Sequence, residues 1–249
     1  MDLELAGKVA IVTGAGRGLG RAAALSLVAE GARVLGVARS PEQLERLREA
    51  APERIAIAVC DVAEHDRVAE LPQLAIEQLG GLDIVVNNAG IAPAQNVIEQ
   101  DWESWRRVLD VNVTAPAVLA VAAAPHFVAQ GGGKIINVVS TSGLRGKPGL
   151  VAYSTSKGAL VRQTEALAAE WATHNIQVNA IAPGAFKTDA QSQVLGSPEI
   201  LERRLRKIPA RRMAEDSEFG PMVCMLASPL NDFMTGATVV IDGGEVSKL

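Results

Sequence analysis

The feature that most constrains the fold is a repeated alternation of short apolar runs with segments of helical spacing. Seven runs predict strands, and most of them lead into a helix. The runs are almost continuously apolar, which is typical of strands covered on both faces. The alternation therefore predicts an α/β fold with a doubly wound parallel sheet and helices on both of its faces. The predicted strands are Val9–Val12, Ala32–Val37, Ile55–Val59, Asp83–Val86, Lys134–Val139, Ile176–Ile181 and Thr238–Ile241.

One segment departs from this alternation. Between about residues 186 and 215, scattered apolar and charged residues are interrupted by Pro198 and Pro209. Because sheets of this kind bind ligands at the carboxyl ends of their strands, we expect a helical segment that covers the substrate there. A surface arm for interactions is the alternative. No linker, repeat or composition shift marks a boundary, so residues 1–249 are predicted to form a single domain.

Composition favours a globular protein of the cytoplasm. Apolar residues make up 48% of the 249 residues, the net charge is −4, and no extended basic stripe suits nucleic acid. No secretory signal is recognisable, and the most apolar stretch, residues 115–129, is broken by prolines and is predicted to be too short for a bilayer. The cysteines and histidines lack metal-ligand spacing. We therefore expect no metal site, no membrane and no nucleic-acid partner.

A glycine-rich turn joins the first predicted strand to the first helix. Glycines permit a sharp turn and a close approach of the backbone to a pyrophosphate, and the helix N-terminus offers N–H groups to phosphates. The turn lacks the Gly-Lys-Ser/Thr ending of a triphosphatase loop, so it favours a dinucleotide. A methyltransferase turn and a purely structural turn are the alternatives. The residues of the turn predicted to bind a dinucleotide are Gly14, Arg17, Gly18, Leu19 and Gly20.

The end of the second predicted strand favours NADP(H) over NAD(H). An acid that would hold the ribose 2′-hydroxyl is expected there, but Ala38 takes its place and Arg39 follows. A guanidinium suits a 2′-phosphate because it donates several hydrogen bonds in a fixed plane, and Arg17 lies where it could reach the same phosphate. The alternatives are that Arg39 is a solvated charge and that Ser40 only caps the next helix. NAD(H) therefore stays the second choice.

Tyr153 and Lys157 are the candidate acid–base pair. They are four residues apart on a predicted helix, so they share one face. The ammonium is expected to lower the pKa of Tyr153, which is the only tyrosine in the chain, towards neutral pH. A phenol with such a pKa can act as general acid or base. The pair predicts hydride transfer between a nicotinamide and a carbonyl or secondary alcohol.

Over essentially its whole length the chain resembles the short-chain dehydrogenase/reductase family. The matching motifs stand in the family's order, and Ser140 lies 13 residues before Tyr153, which is the family's separation. The resemblance implies a Rossmann fold, a small carbonyl or alcohol substrate, and a homotetramer built partly from the helices after Asp101 and Ala152. The motifs are Thr13-Gly14-x-x-x-Gly18-x-Gly20, Asp61-Val62, Asn87-Asn88-Ala89-Gly90, Asn112, Ser140, Tyr153-x-x-x-Lys157, and Pro183-Gly184 with Thr188.

The resemblance also implies roles for single residues. Ser140 would hold the substrate oxygen near Tyr153, Lys157 would bind the nicotinamide ribose, and Asn112 would bind a water that links Lys157 to solvent. The alternatives are that Ser140 only ends a strand, that Asn112 bonds to backbone, and that Asn87-Asn88-Ala89-Gly90 is only a turn after the fourth strand. The residues implied to line the cofactor cleft are Asp61 and Val62 at the adenine, Asn88, Ala89 and Gly90 along the cleft, and Pro183, Gly184, Phe186 and Thr188 near the carboxamide.

Three other functions stay open at this stage. The first is an NAD-dependent sugar-acid or alcohol dehydrogenase of the same family. The second is a non-catalytic dinucleotide-binding sensor, because a fold alone does not decide function. The third, a methyltransferase, gives no role to Tyr153 or Lys157. The substrate itself is left open among oxoacyl thioesters, sugar acids and xenobiotic carbonyl compounds.

Overall fold

A parallel sheet of seven strands organises the described part of the chain, in the order β3-β2-β1-β4-β5-β6-β7. The computed structural model describes residues 2–94, 98 and 101–248, apart from the side chains of residues 190 and 193. All seven predicted strands are present, with ends that agree to within two residues. The strands are β1 Val9–Thr13, β2 Arg33–Ala38, β3 Ile55–Val59, β4 Ile84–Asn87, β5 Gly133–Val138, β6 Ile176–Pro183 and β7 Thr238–Ile241.

The helices include every one that the sequence predicts. Ser40 caps α2 by accepting the N–H of Gln43 at 3.3 Å, and Asp101 caps α4 in the same way. The segment after β6 is helical, as expected. The helices are α1 Gly18–Ala29, α2 Pro41–Arg48, α3 His65–Leu79, α4 Trp102–Leu109, α5 Ala115–Gln130, α6 Thr141–Leu144, α7 Val151–Trp171, α8 Ser192–Leu195, α9 Pro198–Lys207 and α10 Gly220–Ala227.

Both faces of the sheet are buried, which explains why the strands read as continuous apolar runs. Successive residues of β1 point to opposite faces. Ala10 and Val12 pack in a core with α1 and α10, whereas Val9 and Ile11 pack in a second core with α3, α5 and α7. The doubly wound architecture is therefore confirmed.

The apolar stretch around residues 115–129 corrects one expectation. A π-helical turn, Asp110–Thr114, joins α4 to α5, so residues 102–130 form one continuous helical run. Pro116 lies in the first turn of α5, directly after the π turn, at the end of a helix where proline is tolerated.

This run has 29 residues and a mean hydropathy of 1.6 over its most apolar window, enough in length and composition to cross a membrane. Core helices of soluble proteins meet the same criteria. Here 44% of the window is buried, and α5 packs on α3 and β5.

The strand order reverses at β1, which pairs with β2 on one side and β4 on the other. Ligands of such sheets bind outside the carboxyl ends of the strands at this point. Strand β1 ends at Thr13, β4 ends at Asn87, and β5 ends at Val138, two residues before Ser140. The predicted site residues therefore follow neighbouring strand ends on one edge of the sheet.

Candidate active site

The glycine-rich turn is tied to the loop after β4. The Thr13 hydroxyl accepts the N–H groups of Asn88 and Ala89, each at 3.0 Å, and Asn88 Nδ2 donates to the Thr13 carbonyl at 2.8 Å. Gly14 has φ +66°, and a Cβ there would lie 2.7 Å from Asn88 Nδ2. The Asn88 segment is thus more than a turn, because it fixes the position of the glycine loop.

The turn leaves open space in front of α1. Within the described residues no side chain caps this helix, so the N–H groups of its first turn are available to phosphates. Gly18 has φ +52°, and a Cβ there would lie 3.5 Å from Thr188 across a cleft of about 500 Å³. These features fit a dinucleotide pyrophosphate. The cleft is lined by Gly18, Lys187, Thr188, Asp189, Ser192, Leu195, Gly196 and Asp216.

Ser140, Tyr153 and Lys157 come together through the packing of α6 on α7. Ser140 caps α6, where its hydroxyl accepts the N–H of Ser142 at 3.1 Å, and it is almost fully buried. A Cβ at Gly143 would lie 2.6 Å from the backbone of Lys157, so a glycine is needed where the two helices meet. This contact places the end of β5 beside the first turns of α7.

Lys157 is buried beneath the site. Its Nζ donates to the carbonyl oxygen of Val138 at 2.7 Å and lies 5.9 Å from the centre of the Tyr153 ring. Burial lowers the pKa of Lys157 to about 8, so the amine is mostly charged at neutral pH. A Cβ at Gly90 would come within 3.4 Å of this amine, so the glycine keeps space open beside it.

The expected lowering of the Tyr153 pKa is wrong for this geometry. Burial raises the pKa of Tyr153 above its ordinary value, and a hydrogen bond with Ser140 offsets the rise only in part. The close hydrogen bond of Lys157 goes to Val138, and its charge does not offset burial of the phenol. At neutral pH the phenol is therefore protonated.

Asn112 lies in the π turn, and its side chain bonds to protein groups. Its Nδ2 donates to the Ile91 carbonyl at 2.9 Å and to Ser156 Oγ at 3.0 Å, and its Oδ1 accepts the Ile91 N–H at 2.9 Å. Ser156 in turn donates to the Tyr153 carbonyl at 2.7 Å. The Asn112 side chain thus bonds to backbone, as the alternative interpretation expected, and also to Ser156. A water that links Lys157 to solvent through Asn112 stays a prediction.

The adenosine end of the predicted cleft carries two exposed arginines, Arg17 and Arg39, and the carboxylate of Asp61. Arg39 and Arg17 have side chains 66% and 62% exposed, and Arg17 lies 4.0 Å from Asp189 across the cleft. Burial would raise the pKa of Asp61, but hydrogen bonds from Ala63 and Arg107 and the charge of Arg39 bring it below its ordinary value. The carboxylate is therefore ionised at neutral pH.

The residues after β6 divide between the cleft and the core. Gly184 donates its N–H to the Ile241 carbonyl at 2.9 Å, and a Cβ there would lie 2.6 Å from Asp242. The ring of Phe186 is buried against Phe219, 5.9 Å between centres and nearly perpendicular. Val62 is likewise buried, in the second core. A cofactor could therefore meet Phe186 only through its backbone, while Thr188 faces the cleft.

Comparison with known proteins decides the family. The family model described as enoyl-(acyl carrier protein) reductase matches residues 14–245. A 2-dehydro-3-deoxy-D-gluconate 5-dehydrogenase of Escherichia coli (strain K12) is 35% identical over 248 residues, which cover 98% of each chain. The chain belongs to the short-chain dehydrogenase/reductase family. The predicted family, Rossmann fold and oxidoreductase class are thereby confirmed.

Two further similarities extend over the same length of this short-chain dehydrogenase/reductase. A 3-oxoacyl-acyl-carrier-protein reductase of Thermotoga maritima is 34% identical over 248 residues, covering 98% of this chain and 100% of that protein. The crystal structure of a gluconate 5-dehydrogenase from Burkholderia cenocepacia J2315, in complex with NADP and tartrate, has a TM-score of 0.93 and 32% identity. The match covers 100% of this chain and 98% of the chain of the Burkholderia protein.

Sequence analysis named Asn87 only as part of a motif, and it missed Asn137, Thr164 and Ser156, which hold the site together. Asn87 donates to Asn137 at 2.9 Å, and Asn137 donates to Thr164 at 2.9 Å, which joins β4, β5 and α7 through buried amides. Ser156, fully buried, links Asn112 to the helix that carries the tyrosine. The signal that identifies Asn137 is an amide between Ile136 and Val138 in a buried strand, since a buried polar group needs a partner.

Proposed function

We propose that this short-chain dehydrogenase/reductase transfers a hydride between NADP(H) and a carbonyl or secondary alcohol, with Tyr153 as general acid and base. The observation that carries the proposal is the meeting of Ser140, Tyr153 and Lys157 at strand ends beside the glycine-rich turn. NAD(H) in place of NADP(H) is the alternative.

The protonated state of Tyr153 is the one that carbonyl reduction requires. A protonated phenol donates its proton to the substrate oxygen, while the Ser140 hydroxyl donates a hydrogen bond to the same oxygen as negative charge develops there. The nicotinamide, when bound, supplies the hydride to the carbonyl carbon, or accepts it in the reverse direction. The Lys157 ammonium stabilises the phenolate left by proton transfer, and we assign it and Asn112 to the return of the proton from water.

Several residues are suited to hold the dinucleotide. The first turn of α1 and the glycines before it would take the pyrophosphate, while Arg39 and Arg17 would take the 2′-phosphate. Similar solved structures described with NADP support this choice. The remaining predicted contacts, which include Asp61, Val62, Ala89, Gly90, Pro183, Gly184 and Thr188, stay part of the proposal.

We assign the segment from about residue 186 to 215 to substrate covering, within a single domain that comprises residues 1–249. Arg204 on α9 forms a bidentate, largely buried ion pair with Glu245, which ties this segment to the C-terminal residues. We would test sugar-derived oxo acids and hydroxy acids first as substrates, because similar proteins are named for gluconate and its derivatives.

A matrix of cofactors and substrates tests the proposed function. We expect turnover with NADPH, at least tenfold tighter binding of NADPH than of NADH, and about a thirtyfold loss of NADPH affinity in Arg39→Ala, the usual loss for a hydrogen bond to a charged group. Calorimetry measures both affinities. Arg46→Ala, which removes an equal charge from the exposed face of α2, is the control.

Two results would contradict different parts of this proposal. Equal affinity for NADPH and NADH in the wild type would remove the assignment of Arg39. Tight NADPH binding without turnover of sugar acids, oxoacyl thioesters or other ketones would instead favour the non-catalytic sensor.

We also propose a cytoplasmic homotetramer. Exposed apolar side chains on the run α4–α5 support contact with other copies: Trp102, Val121 and Val128 are 64%, 59% and 47% exposed. Phe233, just before β7, is fully exposed. Light scattering is expected to give four times the 26.1 kDa mass of the chain. A mass of 26.1 kDa, unchanged with concentration, would exclude the assembly.

A further inference from the structure

Asp61 is shared by two arginines that approach it from different elements. Arg107, on α4, donates from Nη2 to Asp61 Oδ2 at 2.5 Å. Arg39, which follows β2, has its Nη1 3.9 Å from the same oxygen. The other oxygen, Oδ1, accepts the N–H of Ala63 at 3.0 Å. Arg107 is therefore the close partner of the carboxylate and Arg39 the loosely held one.

The exposure of the three side chains follows the same order: the tightly bonded pair is more buried than Arg39. Asp61 is 23% exposed and Arg107 42%, whereas Arg39 is 66% exposed. A partly buried carboxylate keeps more of its charge interactions than an exposed one, because water screens it less. Arg39 can thus turn towards a ligand, while the pair of Asp61 and Arg107 stays in place between β3 and α4.

This arrangement bears directly on a phosphate at Arg39. A phosphate that contacts Arg39 lies within a few ångströms of Asp61, because the guanidinium and the carboxylate are already close. An unpaired carboxylate there would repel the phosphate and would also compete with it for Arg39. Arg107 offsets that charge through its close hydrogen bond to Asp61 Oδ2.

We propose that Arg107 is a positioning residue for cofactor preference: it neutralises Asp61 and so leaves Arg39 available to a ribose 2′-phosphate. The inference rests on the proposed function, since it takes NADP(H) as the cofactor. Arg107 acts through Asp61 and Arg39 and has no contact of its own with the phosphate. A purely structural role, joining α4 to the loop after β3, would affect NADPH and NADH alike.

The test is the affinity of Arg107→Gln for three probes, measured by calorimetry. Binding of NADPH and of 2′,5′-ADP, which carries the 2′-phosphate without the nicotinamide, is expected to weaken about tenfold, as one lost charge interaction of moderate strength requires. Binding of NADH is expected to change less than about twofold, because NADH lacks the phosphate.

Matched variants separate charge from structure. Arg106→Gln removes the same charge from the exposed neighbouring position and is expected to leave the NADPH:NADH affinity ratio unchanged. Arg107→Lys keeps a cation near Asp61, so its NADPH:NADH affinity ratio is expected to stay closer to that of wild type than to that of Arg107→Gln. In an Asp61→Asn background, Arg107→Gln is expected to have a clearly smaller effect on the ratio, since no carboxylate is left to compete with the phosphate for Arg39.

The outcomes are distinguishable. If Arg107→Gln weakens NADPH and NADH equally, or keeps its effect when Asp61 is Asn, the inference fails while the proposed function stands. If wild type binds NADH as tightly as NADPH, the proposed cofactor preference fails and takes the inference with it. If Arg107→Gln does not fold, Asp61→Asn alone tests the inference. Removing the carboxylate charge is expected to raise the NADPH:NADH affinity ratio, because nothing then competes with the phosphate for Arg39. An unchanged or lower ratio would refute the inference.

Discussion

Replacing Tyr153 with Phe is expected to lower kcat for carbonyl reduction about a thousandfold, the usual contribution of a positioned general acid. The phenol is the group beside Ser140 that can deliver a proton, and its raised pKa keeps that proton in place at neutral pH. Phe keeps the ring and its packing, so the dissociation constant of NADPH is expected to stay within about twofold of wild type. Single-turnover kinetics and calorimetry measure the two quantities.

Thr155→Ala is a suitable control for this variant, because Thr155 is exposed on the same helix two residues away. It is expected to retain wild-type turnover. Because Tyr153 is the only tyrosine, spectroscopic titration of wild type follows this one phenol. Turnover of Tyr153→Phe within tenfold of wild type would show that another group supplies the proton.

The sheet was predictable from sequence because its central strands are buried on both faces and read as apolar runs, and the partly exposed edge strands β3 and β7 are apolar too. The helices were predictable where capping residues and polar faces alternate with apolar positions, as at Ser40 and Asp101. α10 was not, because Gly220–Ala227 is almost wholly apolar and packs against α1, which leaves no polar face to set its period. The continuous run through Pro116 was also missed, since the π turn that joins α4 to α5 has no local sequence signature.

The site was predictable as a set of residues but not as a set of contacts. Helical spacing brings Tyr153 and Lys157 to one face, yet it does not specify that the amine bonds to Val138 or that burial governs the phenol's pKa. The pairing of Asp61 with Arg107 joins residues 46 positions apart, so it depends on how α4 crosses the end of β3. Such charge balance becomes visible only in three dimensions.

Gly20→Ala is expected to have the second large effect, because the added methyl group would meet backbone. A Cβ at residue 20 would lie 2.2 Å from the Gly14 carbonyl oxygen and 2.4 Å from Asn88 Nδ2. Neither atom can move away easily. The backbone of Gly14 has a left-handed conformation that the turn requires, and the Asn88 amide is hydrogen-bonded to the Thr13 carbonyl. Either α1 moves away from the end of β1, or the glycine-rich turn loses its shape.

Both responses displace the N–H groups proposed to hold the pyrophosphate. We expect kcat/KM for NADPH to fall about 100-fold, the scale of a 1 Å misplacement, and the free energy of unfolding to fall by about 2 kcal/mol, typical of overpacking. Steady-state kinetics measures the first and urea unfolding the second. A loss of stability with unchanged kcat/KM would show that the turn does not contact the cofactor.

Gly81→Ala is the matched control, because a Cβ there would meet only the side chain of Val9, at an ordinary contact distance of 3.9 Å. This glycine precedes β4 at the opposite edge of the sheet from the strand ends that carry the site. It is expected to change neither kcat/KM nor the unfolding free energy by more than the error of measurement. A loss of activity as large as that of Gly20→Ala would mean that any added methyl group disturbs this fold, and that the contact with Gly14 has no special part in binding.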